Sequence, residues 1–169
     1  MIEVTYIDHM GSDLSVVNAA RVSFGKKREA LGTVTANGET SDVLHDTDRK
    51  LIKYLAKHRH MSPFGHAFAS FHIKAPVFVA RQLVKHKFLR WNEISRRYVD
   101  DEPEFYEPDV WRGRSADKKQ GSDGIIILDD YDDWTHNQCC LAMYKDLLSD
   151  GVCPEQARMV LPQSTMTEW

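Results

Sequence analysis

The densest run of chemically capable side chains is Arg81-Gln82-Leu83-Val84-Lys85-His86-Lys87, followed by Arg90 and then by Asn92-Glu93-Ile94-Ser95-Arg96-Arg97-Tyr98. From Lys85 to Arg97, five cations (Lys85, Lys87, Arg90, Arg96 and Arg97) stand against one anion, Glu93; from Asp100 to Asp109, six acids follow with no base. Lysine and arginine supply charge for phosphates, and an extended Ser95-Arg96-Arg97 segment would add a hydroxyl and backbone amides. Gln82, Asn92 and Glu93 offer the mixed donors and acceptors that read a base edge or a ribose. This chemistry suits a small, highly charged ligand such as a nucleotide. The competing reading is a solvated basic surface, which is what most such runs are.

A second cluster is His58-Arg59-His60-Met61-Ser62-Pro63-Phe64-Gly65-His66, with His72 beyond it. Its histidines invite a metal, but no Asp, Glu or Cys completes a known ligand spacing and HExxH is absent, so no metal is predicted. Ser62-Pro63-Phe64-Gly65 reads as a tight turn, either plain punctuation or a means of setting a hydroxyl beside a partner. A third candidate, Arg158, lies among apolar neighbours between Glu155 and Pro162; it either pairs with an acid such as Glu155 or reaches inward to an anion. There is no GxGxxG, no Walker loop and no GxSxG, so Rossmann, P-loop and hydrolase readings fail at the motif level.

The 169-residue chain has room for a single domain and can bury roughly 70% of its unfolded surface, so a core needs no staples. Hydrophobic residues are 42% and charged residues 28%, which argues against disorder. The net charge of −3 disfavours a nucleic-acid or anionic-membrane partner, and few aromatics interleave the cations. No apolar run approaches the ~18 residues of a membrane span, and the N-terminus lacks the basic and greasy regions of a signal peptide. Cys139, Cys140 and Cys153 form neither a disulfide framework nor a zinc knuckle; they are expected to be small apolar fillers in a reducing, cytoplasmic setting.

These residues need elements to hold them. Ile2 to Asp8 reads as a strand, and Asp13 as the N-cap of a helix through Val16, Val17, Ala20 and Arg21. Gly25 to Thr40 reads as an exposed loop. Asp46 to His58 has Leu51, Ile52 and Leu55 at helical spacing, and Ser62-Pro63 breaks that helix. Ala67 to Ala75 alternates, predicting a strand with one wet side. Pro76 then suits the first position of a buried helix, on which Gln82, Lys85 and His86 share a face at i, i+3 and i+4. Ser95 to Val99 reads as a short strand and Asp100 to Gln120 as loop. Asp130 to Leu148 is a long helix carrying Tyr131 and Trp134, ended by Gly151. Pro154 starts a helix that Pro162 stops, with Ala157, Val160 and Leu161 inward, and Ser164 to Trp169 is extended.

Taken together, the segments resemble the flavin-dependent thymidylate synthases. Lys85-His86-Lys87, seven residues, then Ser95 is similar to that family's signature, an Arg-His-Arg triplet followed by seven residues and a serine. Arg81-Gln82 and Asn92 through Tyr98 resemble its flanks. Ala19-Ala20-Arg21-Val22-Ser23-Phe24, His60 through His66 and Ala157-Arg158-Met159-Val160-Leu161-Pro162 resemble its other blocks, in the family's order. Any one block is weak; four in order make a specific signal.

The resemblance implies an α+β, ThyX-like domain of helices and antiparallel sheet over residues 1–169, with the family's C-terminal part missing. It implies reductive methylation of dUMP to dTMP, with methylenetetrahydrofolate giving the carbon and FAD, reduced by NADPH, giving the hydride. It also implies a homotetramer whose active sites are shared between subunits. By position, Gln82, Lys85, Glu93, Ser95, Arg96, Arg97 and Arg158 match dUMP-contacting places. Ser62, Lys85, His86, Lys87 and Glu93 match FAD-contacting places. The family chemistry requires no enzyme nucleophile, so Ser95 is expected to bind rather than attack. The positive cluster is expected to fold inward and grip the nucleotide against the flavin ring.

The chain departs from the family pattern in several places. Lysines replace both arginines of the triplet, keeping charge but losing the bidentate fork. Arg90 stands where serine is common, and Gly65 where many members carry glutamate. The family's later Asn-x-Arg segment and last arginine have no counterpart before Trp169. The alternative reading is a degenerate, non-catalytic nucleotide- or flavin-binding protein of the same fold.

Overall fold

The computed structural model describes residues 1–128 and 133–169. In chain order the elements are β1 (Glu3–Met10), α1 (Asp13–Arg21), a 3₁₀ turn (Val22–Phe24), β2 (Thr33–Ala36), β3 (Glu39–Asp42) and α2 (Asp46–Lys57). There follow a 3₁₀ turn (Ser62–His66), β4 (Phe68–Pro76), α3 (Val77–Leu83), β5 (Trp111–Arg114) and β6 (Ser122–Ile126). The chain continues through α4 (Asp133–Ser149), α5 (Pro154–Ala157), a 3₁₀ turn (Arg158–Val160) and β7 (Met166–Glu168). A three-stranded sheet has the order β1-β4-β7, and β2-β3 and β5-β6 are antiparallel pairs. The architecture is the mixed helix and antiparallel sheet that the sequence predicts. Two compact units divide the chain: Thr5–Phe71, and Met1–Val4 with His72–Trp169.

In the Thr5–Phe71 unit, the N-cap of α1 is Ser12, one residue before the predicted Asp13. The Ser12 amide donates to Ser15 Oγ at 3.0 Å, and Ser12 Oγ donates to Asp42 at 3.0 Å. Asp13 instead sits in the first turn, where its charge suits the positive end of the helix. Gly11 precedes this cap at φ +75°, and a Cβ there would lie 2.3 Å from the His66 carbonyl oxygen. Only glycine lets that turn approach the 3₁₀ segment carrying Ser62. Val16, Val17, Leu44 and Leu55 form the buried apolar core.

At the α1–α2 contact the core is ionic. Asp48 is 0% exposed and receives the Arg21 guanidinium on one carboxylate oxygen; Arg28 Nε lies 3.3 Å from the other. Arg28 is itself held by Asn18, whose amide group bonds its backbone in both directions at 3.0 and 2.7 Å. The expected loop over Gly25–Thr40 contains the β2-β3 hairpin. Asn37 and Gly38 take φ +52° and +83°, the left-handed pair a tight two-residue turn demands.

In the unit of Met1–Val4 and His72–Trp169, β7 is the organising strand. It pairs antiparallel with β4 through Lys74↔Glu168, Ala75↔Thr167 and Pro76↔Met166, and Ile73 and Trp169 exchange both backbone bonds. Ile94 N donates to the Glu168 carbonyl at 2.9 Å and Met166 N to the Glu104 carbonyl at 2.8 Å. Ala75, Ala80, Leu141, Tyr144, Ala157 and Met166 are the buried apolar residues. Lys74 bonds Glu104 at 2.8 Å, and that hydrogen bond raises the ammonium pKa above the ordinary lysine value. The end of α4 is closed by Val152 N to Leu147 O and Gly151 N to Leu148 O, the predicted glycine stop. The predicted start of that helix at Asp130, with Tyr131, lies outside the described residues, and so does the Trp134 side chain.

Several expectations are corrected. Pro76 is the N-cap of α3 rather than its first residue, because it is also the last residue of β4. Only Ala80 of α3 is buried and Phe78 is 44% exposed, so within one chain α3 is not a buried helix. Residues Phe68 to His72 of β4 are exposed on both faces, not one. Ser95–Val99 is a turn, with Tyr98 N and Val99 N both donating to the Ser95 carbonyl at 3.0 Å. The serine hydroxyl, which accepts from Arg97 N at 3.4 Å, stabilises that turn against a strand. Residues Trp111–Arg114 are strand within the expected loop. Cys139 and Cys153 are exposed and Cys140 half-buried, so the thiols are not core fillers.

Asp48→Asn should destabilise the protein by about 3 kcal/mol, the low end for breaking a buried ion pair because both guanidiniums keep some solvent. Urea unfolding monitored by circular dichroism measures it; an unchanged midpoint would mean the cations are stabilised without the carboxylate.

Candidate functional site

The cation-rich segment leaves α3 at its C-terminal end. Arg81 and Gln82 lie in the last turn, Val84 is the C-cap, and Lys85 and His86 continue as a turn through Lys85 N to Gln82 O and His86 N to Leu83 O. The predicted face therefore persists in part: Lys85 Nζ donates to Gln82 Oε1 at 3.2 Å. His86, already past the helix, accepts from Phe88 N at 3.3 Å on Nδ1. Lys87 and Arg90 are exposed.

The second half of the segment is pinned by β7. Glu93 accepts from Thr167 Oγ1 at 2.8 Å on Oε1 and from Trp91 Nε1 at 3.1 Å on Oε2. Trp91 stacks on Trp169, with ring centroids 4.6 Å apart and planes at 21°. Arg96 donates to the Asp101 carbonyl, and Arg97 donates to Tyr98 Oη at 2.8 Å while lying over that ring. Arg158, half-buried at the end of α5, donates from Nε to the Glu155 carbonyl at 3.2 Å. Its predicted partnership with Glu155 is thus to the backbone, and no carboxylate among the described residues pairs with its guanidinium.

Among the described residues, the ion pairs are Arg21 and Arg28 with Asp48, His72 with Glu168, Lys74 with Glu104, and Lys145 with Glu102. Among the described residues, Lys85, Lys87, Arg90, Arg96, Arg97 and Arg158 take no carboxylate partner, although the chain as a whole is acidic. Along the segment from Lys85 to Arg97, unpaired cations at this density favour an anion. The expectation that they fold into a closed cavity is not met within one chain. From Arg81 to Arg90 every residue is exposed, and the small cavity of about 60 Å³ that Arg96 lines is bordered by Glu102, Glu104 and Glu168. A larger cavity of about 480 Å³, lined by Arg21, Phe24, Lys50, Leu51 and Tyr54, lies between α1 and α2 and holds none of the predicted site residues. Ser62 is exposed at the start of its 3₁₀ turn in the Thr5–Phe71 unit.

Sequence reasoning missed Trp91, Thr167 and Trp169 as supports of Glu93. The spacing Trp-x-Glu was visible beside the signature, but the threonine is far along the chain and only the β7 register brings it there. It also missed Asp48, which looks like any acid in the first turn of a helix.

The donor set fits a phosphorylated flavin. Lysine ammoniums match a diphosphate, and the Glu93 carboxylate, in the same signature segment, matches the N–H groups of a heterocycle.

Comparison with known proteins agrees with this chemistry. The family described as "Thymidylate synthase complementing protein" matches residues 5–169. A flavin-dependent thymidylate synthase of Thermus thermophilus is 40% identical over 168 residues, covering 98% of this chain and 57% of that enzyme. That of Kosmotoga olearia is 40% identical over 175 residues, covering 98% of this chain and 68% of its own length. The UMP/dUMP methylase PolB from Streptomyces cacaoi, solved with 5-Br dUMP, superposes with a TM-score of 0.73 at 33% identity, covering 99% of this chain and 71% of that one. The chain thus spans little more than half the length of the Thermus enzyme. With the signature segment, the blocks around it and the fold in agreement, this chain belongs to the thymidylate synthase complementing protein family, whose relatives here are flavin-dependent thymidylate synthases.

Proposed function

We propose that the chain takes part in flavin-dependent reductive methylation of dUMP to dTMP, with methylenetetrahydrofolate donating the carbon and NADPH as reductant. The observation that carries this reading is that Lys85, Lys87, Arg90, Arg96, Arg97 and Arg158 have no carboxylate partner among the described residues of an acidic chain, and stand in the order of the family's blocks. FAD, when bound, supplies the hydride that completes the transferred methyl group. Ser62, Lys85, His86, Lys87 and Glu93 would hold it; Gln82, Lys85, Glu93, Ser95, Arg96, Arg97 and Arg158 would hold dUMP. The 5-Br dUMP and 5-Br UMP bound to PolB support a pyrimidine monophosphate as the ligand class.

Each residue has a defined task. Arg97 and Arg158 carry free guanidinium donors for phosphate or the uracil carbonyls. The Lys85 ammonium, steered by Gln82, neutralises a phosphate as a point charge. Ser95 is a binding group: among the described residues no histidine, lysine or carboxylate hydrogen-bonds its Oγ, so nothing there would activate it as a nucleophile. The open cluster accords with a site completed by another subunit of a homotetramer. So do the apolar side chains left exposed on the sheet strands, Val4, Ile7 and Met10 on β1 and Phe68 and Phe71 on β4. The proposed setting is the cytoplasm; among the described residues no helix is long and apolar enough to cross a membrane.

The deciding experiment supplies the purified protein with FAD, NADPH, methylenetetrahydrofolate and either dUMP or UMP, and separates products chromatographically. NADPH oxidation that depends on dUMP, with dTMP formed, is expected. Flavin and nucleotide binding without any methylated product would establish the non-catalytic alternative. Arg158→Ala should weaken dUMP binding by at least about 1 kcal/mol in calorimetry, the scale of one charge-assisted hydrogen bond; unchanged affinity removes Arg158 from the site. Lys85→Arg should retain or tighten FAD in a fluorescence titration, and loss of flavin would show that the site accommodates lysine specifically.

A further inference from the structure

Glu93 is exposed, yet its carboxylate is not free to turn. Each of its two oxygens already accepts one hydrogen bond, from Thr167 Oγ1 at 2.8 Å and from Trp91 Nε1 at 3.1 Å. Both donors are anchored. Thr167 is 6% exposed on β7, whose neighbour Glu168 takes the Ile94 amide at 2.9 Å, and the Trp91 ring is fixed by its stack on Trp169 at 4.6 Å. A solvent-exposed glutamate normally samples several rotamers, and ordering it on ligand binding costs free energy. Here the ordering is done before any ligand arrives. Two donors, one on each oxygen, still leave each oxygen a lone pair for a third donor.

Resting on the reading of Glu93 as a ligand-contacting residue, we propose that Thr167 and Trp91 are positioning residues that pre-set the Glu93 carboxylate to accept an N–H or O–H donor of the bound ligand. The same donor chemistry exists on the flavin and on the pyrimidine nucleotide, and the two are distinguished by measuring each. The indole contributes direction and the threonine fixes distance, while Trp169 keeps the indole plane from rotating. None of the three residues carries the positive charge that marks the rest of the site, so their contribution is orientation rather than attraction.

The test uses the full 169-residue chain and two ligand titrations, FAD by flavin fluorescence and dUMP by calorimetry. Thr167→Val, which keeps shape and removes the hydroxyl, should weaken one of the two ligands about tenfold, whereas Thr167→Ser should restore wild-type affinity. Trp91→Phe, which keeps a ring on Trp169 and removes only the N–H, should weaken the same ligand, and it carries the test if Thr167→Val fails to fold. In a Glu93→Gln background, Thr167→Val should add nothing further, because the group it orients is already altered. Wild-type affinity for both ligands in Thr167→Val and Trp91→Phe overturns the proposal. So does a Thr167→Val loss that serine does not restore, or one that adds in full to that of Glu93→Gln. If the unmodified chain binds neither FAD nor dUMP, the functional reading itself fails, and this inference with it.

Discussion

The pairing of β7 into the sheet is the constraint from which the candidate site follows. Three residues, Met166, Thr167 and Glu168, bond β4 by their register, while Met166 N and the Glu168 carbonyl reach Glu104 and Ile94. A cation-rich segment cannot fold on itself: its charges repel, and from Arg81 to Arg90 it is exposed throughout. What gives it shape is β7, which supplies a backbone acceptor to Ile94 and a hydroxyl to Glu93. Backbone bonds are indifferent to side-chain charge, which is why a segment dense in lysine and arginine can be held without neutralising them.

Leaving cations unpaired has an energetic logic. Of the six acids between Asp100 and Asp109, two pair elsewhere among the described residues: Glu102 with Lys145 and Glu104 with Lys74. Surface pairs of this kind add little stability, so their value here is partition. They keep the Glu102 and Glu104 side chains engaged outside the signature. Arg96, which bonds the Asp101 carbonyl instead of a carboxylate, shows the same division at close range.

Much of this was legible in sequence. Strand and helix positions for β1, α1, α2, β4 and β7 follow from apolar spacing and capping residues, and the signature blocks point to the family on their own. The failures share a cause, which is that local pattern yields to hydrogen bonds no window contains. Ser95 stops a strand by bonding its own neighbours. The β2-β3 hairpin lacks apolar alternation, and only Asn37-Gly38 announced it. Asp48 is buried because Arg21 and Arg28 reach it from 27 and 20 positions away, and Thr167 meets Glu93 across 74. Composition cannot report such partners.

The register of β7 on β4 joins segments that emerge from the ribosome far apart in time. The signature is synthesised early, but the strand that shapes it arrives some seventy residues later, after α4 and α5. Until then Glu93 has no threonine to accept from and Ile94 no carbonyl to bond. Non-local closure of this kind is slow and comes last. The nascent chain therefore carries its cation-rich segment without these two bonds until residues 166–168 have been made.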